Sequence, residues 1–146
     1  MRKICIIIFA ICFFSCSNKE SNYPWSNLSL GEALALKSDK IIFLDFYSDN
    51  WGACNLLEVE TLNDQRIIDL TNQHLIPIKI DAWYDTVGQK LFKKYNGYAI
   101  PLLMFLDSSG DEIERAVGYK TSDEFIDIIN NVITNTNTFS NLFLKY

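Results

Sequence analysis

The nucleophilic chemistry open to this chain rests on very few side chains. It has four cysteines, Cys5, Cys12, Cys16 and Cys54, and only Cys54 lies beyond the first twenty residues. A thiol reacts as its thiolate, and a free cysteine with a pKa near ~8.5 is mostly protonated at neutral pH. The start of a helix shifts that balance, because backbone N–H groups and the helix dipole stabilise an anion there. Cys54 lies within "FYSDNWGACNLLE", Phe46 to Glu58, where Leu56, Leu57 and Val59 suit a helix after "GAC". Other chemistries find less support. His74 is the only histidine, and without a second histidine or a cysteine pair a metal site is not expected. There is no Ser–His–Asp arrangement and no glycine-rich phosphate loop, so no cofactor is expected.

The elements that must hold these residues follow from periodicity and turn chemistry. A length of 146 residues suits one domain, and 49% hydrophobic with 14% aromatic residues suffices for a core. "SLGE" at Ser29–Glu32 has the form of a capping box, with Leu30, Ala33 and Leu34 on one helical face. "IIFLDFYS", Ile41–Ser48, reads as a buried strand. Leu56, Leu57 and Val59 suit a helix, and Ile67, Ile68 and Leu70 a second one after Asn63. "LIPIKIDA", Leu75–Ala82, is a strand that Pro77 places at or near a sheet edge. Val87, Leu91 and Tyr95 line a helix ending near Asn96–Gly97. "PLLMFLD", "SSGD" and "EIERAVGY" form a hairpin, and Thr121 with Glu124 caps a last helix with Phe125, Ile128, Ile129 and Val132 inside. The order α-β-α-α-β-α-β-β-α predicts an α/β fold: a central mixed β-sheet flanked by helices, with a closing β-hairpin and a C-terminal helix. There is no internal repeat and no second domain. From Thr134 the chain begins as a polar spacer, and Phe139, Leu142, Phe143 and Tyr146 then fall at helical spacing. These suit a short helix folded back on the domain or a partner-binding face.

The N-terminus has its own layout. Arg2 and Lys3 precede an unbroken apolar run from Ile4 to Phe14, then Ser15, Cys16 and the polar "SNKESN". This is the pattern of a secretory signal peptide, and the run is too short for the ~20 apolar residues of a membrane-spanning helix. "FFSC" resembles the lipobox of bacterial lipoproteins, with Phe13 departing from the usual aliphatic residue. That resemblance implies lipidation at Cys16 and stable anchoring through several acyl chains. The expected organisation is a leader over residues 1–15, a tether over 16–27, the domain over 28–133 and an extension over 134–146. Loss of Arg2 and Lys3 would take the formal charge from −5 to −7. Such an acidic chain without a basic cluster argues against nucleic acid and against electrostatic docking to membranes. With Cys5 and Cys12 removed and Cys16 lipidated, Cys54 would be the only free thiol, and the mature chain could form no internal disulfide.

Over roughly Lys40–Val132 the sequence resembles the thioredoxin-like superfamily, in particular secreted domains with a "DFYADWCxxCK" pattern. Here the text is "DFYSDNWGACN". Aligned without a gap, Asn50 takes the tryptophan position, Trp51 the first cysteine, Gly52 and Ala53 the intervening pair, and Cys54 the second cysteine. Asp45 stands where the family carries a buried acid, which can relay protons. "AIP", Ala99–Pro101, matches the loop whose cis-proline faces the redox motif, and "FLDSSGDEI" matches the closing hairpin. In this family the first cysteine attacks and the second resolves the mixed disulfide. The resemblance therefore implies that a helix starts at Trp51, that the attacking position is lost and the resolving one kept, and that Cys54, one turn in, is more buried and less stabilised as a thiolate. Asn55 also replaces the lysine that commonly follows the motif.

Two functional expectations follow. In the first, this is a lipid-anchored envelope protein that binds or holds another envelope protein or peptide segment at Trp51, Ile100 and Pro101. A large aromatic on an exposed helix start lacks a core reason. Cys54 is then a buried structural thiol. In the second, Cys54 acts as a one-thiol oxidoreductase or isomerase, with Asp45 relaying protons. Both place the chain in the cell envelope, facing the periplasm or the surface. Ser17, in place of an aspartate retention signal, favours the outer membrane.

Overall fold

The computed structural model describes residues 21–143. Its centre is β1 (Ile41–Tyr47), whose run IIFLDFY is buried on both faces. Such a near-continuous apolar strand requires cover on each side. The sheet order is β2-β1-β3-β4, with β2 (Leu75–Asp81), β3 (Leu102–Leu106) and β4 (Glu112–Val117). β1 and β2 run parallel, while β3 is antiparallel to both β1 and β4. The expected mixed sheet and closing hairpin are therefore present. In the hairpin turn, Asp107 Oδ1 accepts N–H groups from Ser109 at 2.8 Å and Asp111 at 3.0 Å.

The strand period of two sorts the side chains into two cores. Phe43, Leu103 and Phe105 face Leu57, Leu62, Ile67, Phe125 and Ile129 on one side. That layer is built by α2 (Gly52–Leu56), a π-helical stretch (Leu57–Thr61), α3 (Gln65–His74) and α5 (Ser122–Phe143). Ile42, Leu44 and Phe46 pack on the other side with Leu30, Ala33, Leu91 and Phe92, supplied by α1 (Leu30–Ala35) and α4 (Thr86–Lys94). The capping box at Ser29 and Glu32 forms as read, and Thr121 with Glu124 repeats it before α5.

β2 is an edge strand, which explains how Pro77 is tolerated in it. A strap of chain runs past this edge, with the Ser26 N–H donating to the Pro77 carbonyl at 2.8 Å. The same strap departs from the expected polar tether. Tyr23 is buried in the core with its hydroxyl 2.8 Å from Thr71 Oγ1, and Trp25 stacks on Phe43 with ring centroids 6.1 Å apart. Apolar burial of two aromatic rings outweighs the polar composition around them. At the other end, α5 continues through Thr134 without the expected spacer. The hydroxyls of Thr134 and Thr136 donate to the Asn130 and Val132 carbonyls one turn back, each at 2.8 Å, which satisfies these polar groups inside a helix. The leader and Cys16 lie outside the described residues, as do the side chains of Phe139, Leu142, Phe143 and Tyr146.

Candidate functional site

The strand directions gather three loops at one edge of the sheet. The parallel strands β1 and β2 both run out there, at Tyr47 and Asp81, and antiparallel β3 enters there with Leu102 opposite Phe46. The loops of residues 48–51, 82–85 and 95–101 therefore share that edge. Trp51, Ile100 and Pro101 fall on it, while Asp45 and Cys54 lie just beneath.

Trp51 is the N-cap of α2, in an extended backbone conformation and without a side-chain cap bond. Its N–H donates to the Ser48 carbonyl at 3.1 Å, and the residue is 51% exposed. Cys54 is buried and is the one free cysteine among the described residues. Burial pushes its thiol up and the negative Asp45 adds to this, against a backbone hydrogen bond from Ser48 and the charge of Lys79. Position one turn into the helix thus works against the thiolate, as the sequence suggested.

Asp45 lies on β1, flanked by Lys79 of β2 and Leu103 of β3. It is 2% exposed, and its Oδ1 has no hydrogen-bond partner. Desolvation pushes its carboxyl up to about 7, with Glu58 adding to the rise and Lys79 opposing it. Lys79 is committed elsewhere, with Nζ 2.9 Å from Glu58 Oε2. The indole N–H of Trp25 donates to the other Glu58 oxygen at 2.9 Å. Lys79 also lies over the Tyr47 ring, 4.2 Å from its centroid. Burial draws the Lys79 ammonium down, but the hydrogen bond and charge of Glu58 outweigh it and the net direction is up. Burial likewise raises Glu58, and hydrogen bonds from Ser21, Trp25 and Lys79 overturn that, leaving it lowered.

Sequence reasoning missed Glu58, Lys79 and Trp25. Two of them carried a signal: Lys79 interrupts an apolar strand, and Glu58 follows Cys54 by one helical turn. It also missed the aromatic pair Trp83–Tyr84, each 61% exposed. Their backbone N–H groups donate to Asp81 Oδ1 at 2.7 and 2.8 Å, and the Asn50 amide donates to the Tyr84 hydroxyl at 2.7 Å. This last bond ties the β2–α4 loop to the segment carrying Trp51.

The Ile100–Pro101 bond is cis. Pro101 is buried, and its carbonyl accepts the Gly118 N–H at 2.8 Å. Among the described residues no cluster of histidine, cysteine, aspartate and glutamate could hold a metal ion. His74 lies at the other end of the sheet, where it lines a cavity of about 200 Å³ with Asp39, Lys40 and Ile41.

Comparisons with known proteins agree with this architecture. The thiol:disulfide interchange protein DsbD of Yersinia pestis (strain Pestoides F) is 31% identical over 112 residues, covering 74% of this chain and 19% of that protein. The chain thus spans about a fifth of the length of the curated relatives it matches. A putative disulphide-isomerase from Bacteroides thetaiotaomicron is 30% identical with a TM-score of 0.67, over 77% of this chain and 94% of that one. The oxidised C-terminal domain of DsbD from Neisseria meningitidis is 27% identical with a TM-score of 0.57, over 68% and 85%. The family model of the thioredoxin-like domain matches residues 30–133. The chain therefore belongs to the thioredoxin-like domain family.

Proposed function

We propose that this thioredoxin-like domain holds an envelope protein, through an extended peptide segment, at the edge formed by Trp51 and the Ile100–Pro101 loop, and does not carry out two-cysteine exchange. One observation carries this reading. At the start of α2, where the aligned motif has its attacking cysteine, stands a half-exposed tryptophan, while the remaining thiol is buried with its pKa raised. Indole offers no sulfur, and an intramolecular exchange cycle requires two. An exposed aromatic beside a loop of fixed geometry suits binding instead. The proposal includes cleavage of the leader and a lipid anchor on Cys16, holding the domain in the cell envelope with the outer membrane favoured. No helix among the described residues is long and apolar enough to cross a membrane. Mass spectrometry of the mature N-terminus tests the anchor.

The test of binding uses reduced, carbamidomethylated ribonuclease A, whose cysteines then carry uncharged caps, as an extended polypeptide probe. The folded chain is expected to bind it, and Trp51→Ala to bind it several-fold more weakly. In parallel, insulin reduction by dithiothreitol is expected to proceed no faster with the protein than without it.

The orphaned, raised carboxyl of Asp45 close beneath the site favours a second reading. Cys54, passing its proton to Asp45, attacks a partner disulfide. A mixed disulfide forms and one partner sulfur leaves as thiolate, which the proton then neutralises. An external thiol later restores Cys54. Catalysed insulin reduction that vanishes in Cys54→Ser would establish this reading over the first.

A further inference from the structure

The loops that meet at the Trp51 edge of the sheet carry further exposed aromatic residues. Trp51, Trp83, Tyr84 and Tyr98 are 51%, 61%, 61% and 77% exposed, and Val87 is 62% exposed. Apolar surface grouped in this way marks an interaction site more often than scattered exposure does. The Trp83–Tyr84 loop is fixed in place by Asp81, by Asn50 and by the Gln89 side-chain amide, which donates to the Trp83 carbonyl. Gly88 adds a close approach, since a Cβ there would stand 1.9 Å from the Asp81 carbonyl oxygen.

The charge of this edge has one sign. Asp49, Asp81 and Asp85 border the rings, and residues 41–58, 80–89 and 95–103 contain no lysine or arginine. The nearby cations are already paired or lie further off. Lys79 is held by Glu58, Arg115 by Glu112, and Lys90, Lys93 and Lys94 lie on later turns of α4. We infer that this edge selects extended polypeptide segments bearing arginine or lysine side chains, an inference that rests on the binding function proposed above. The negative faces of the rings attract such cations, and the carboxylates at the rim supply their counter-charge. A neutral apolar segment would cover the rings but desolvate carboxylates without pairing them. A second copy of the chain would bring the same acids face to face.

The experiment uses the full chain in a mild non-ionic detergent and three fluorescein-labelled peptides. They are identical apolar sequences carrying arginine, glutamine or glutamate at alternate positions, and the readout is anisotropy. The arginine peptide is expected to bind about tenfold more tightly than the glutamine peptide, and the glutamate peptide not to saturate. The preference should shrink with added salt. In Asp49→Asn/Asp85→Asn, where asparagine can still cap α4, the two affinities should converge to within about twofold. Equal affinity of the arginine and glutamine peptides for the parent chain would overturn the charge selection while leaving the binding edge standing. A chain folded by circular dichroism that binds none of the peptides would overturn both. A dimer dispersed by Trp83→Ala would replace the peptide with a second copy and overturn the inference.

Discussion

The ammonium of Lys79 and the carboxylate of Glu58 meet at 2.9 Å beneath the indole of Trp25, joining β2, the helix after β1 and the N-terminal strap. Each is only partly exposed, at 29% and 14% of the side chain. Taking one partner from such a pair leaves a charge with poor solvation, a larger loss than for a surface pair. Glu58→Gln is expected to lower unfolding stability by about 2 kcal/mol, scaled down from fully buried pairs for this exposure. Glu58→Gln/Lys79→Met should recover part of it in urea titrations. Additive losses in the double variant would show that the pair does not act as a unit.

Asp45 gives the fold a pH dependence of definite sign. The folded state holds its proton up to about 7, against an ordinary value of 3.8. Between those values unfolding releases a proton, so stability falls as pH rises through this window and levels off above it. At about 1.4 kcal/mol per pH unit, the ceiling of the effect is about 4 kcal/mol. Asp45→Asn should match the parent near pH 4 and exceed it by up to that amount at pH 8. Parallel stability curves for the two proteins across this range would refute the assignment.

The fold was legible where local chemistry and global packing agree. The apolar run of β1, the edge position set by Pro77 and the capping boxes at Ser29 and Thr121 each carry their structural role in the residues themselves. Tyr23 and Trp25 were hidden because a strap has no period; only tertiary contact with Phe43 and Thr71 makes them core. The length of α5 was hidden because threonine and asparagine read as a spacer until hydroxyl bonds to the preceding turn are seen. Within the site, the residue types around Cys54 and Asp45 were visible. The Lys79–Glu58 contact depends on strand register and helix phase together, and neither is local.

Trp51→Cys probes the alignment of α2. The introduced thiol should form a disulfide with Cys54 that dithiothreitol opens reversibly, measured by thiol counting before and after reduction. A variant that keeps two free thiols under mild oxidation would count against the alignment.

Cys54 should be slow. With burial foremost in raising its thiol, labelling by iodoacetamide at pH 7 is expected to lag a free cysteine by at least tenfold and to rise steadily toward alkaline pH. A plateau near neutral pH would reveal a stabilised thiolate and favour the one-thiol reading.

Gly88→Ala tests the close packing of α4 on the end of β2. A methyl group aimed at the Asp81 carbonyl must move backbone rather than a flexible side chain. A loss of about 1–3 kcal/mol is expected, measured by thermal unfolding, with the exposed helical Gly31→Ala, whose Cβ would meet nothing within 4 Å, as a control that holds or slightly raises stability.

The strap has one more consequence, at the open flank of the sheet. A bare outer strand invites other chains to add to it through main-chain pairing, a route to fibrils. At Pro77 the proline has no N–H to offer, and its carbonyl is already engaged by Ser26. The flank is therefore blocked at this point in both its donor and its acceptor role. A molecule trimmed of residues 21–27 would lose the Tyr23 and Trp25 packing as well, and is expected both to unfold more readily and to clump on storage.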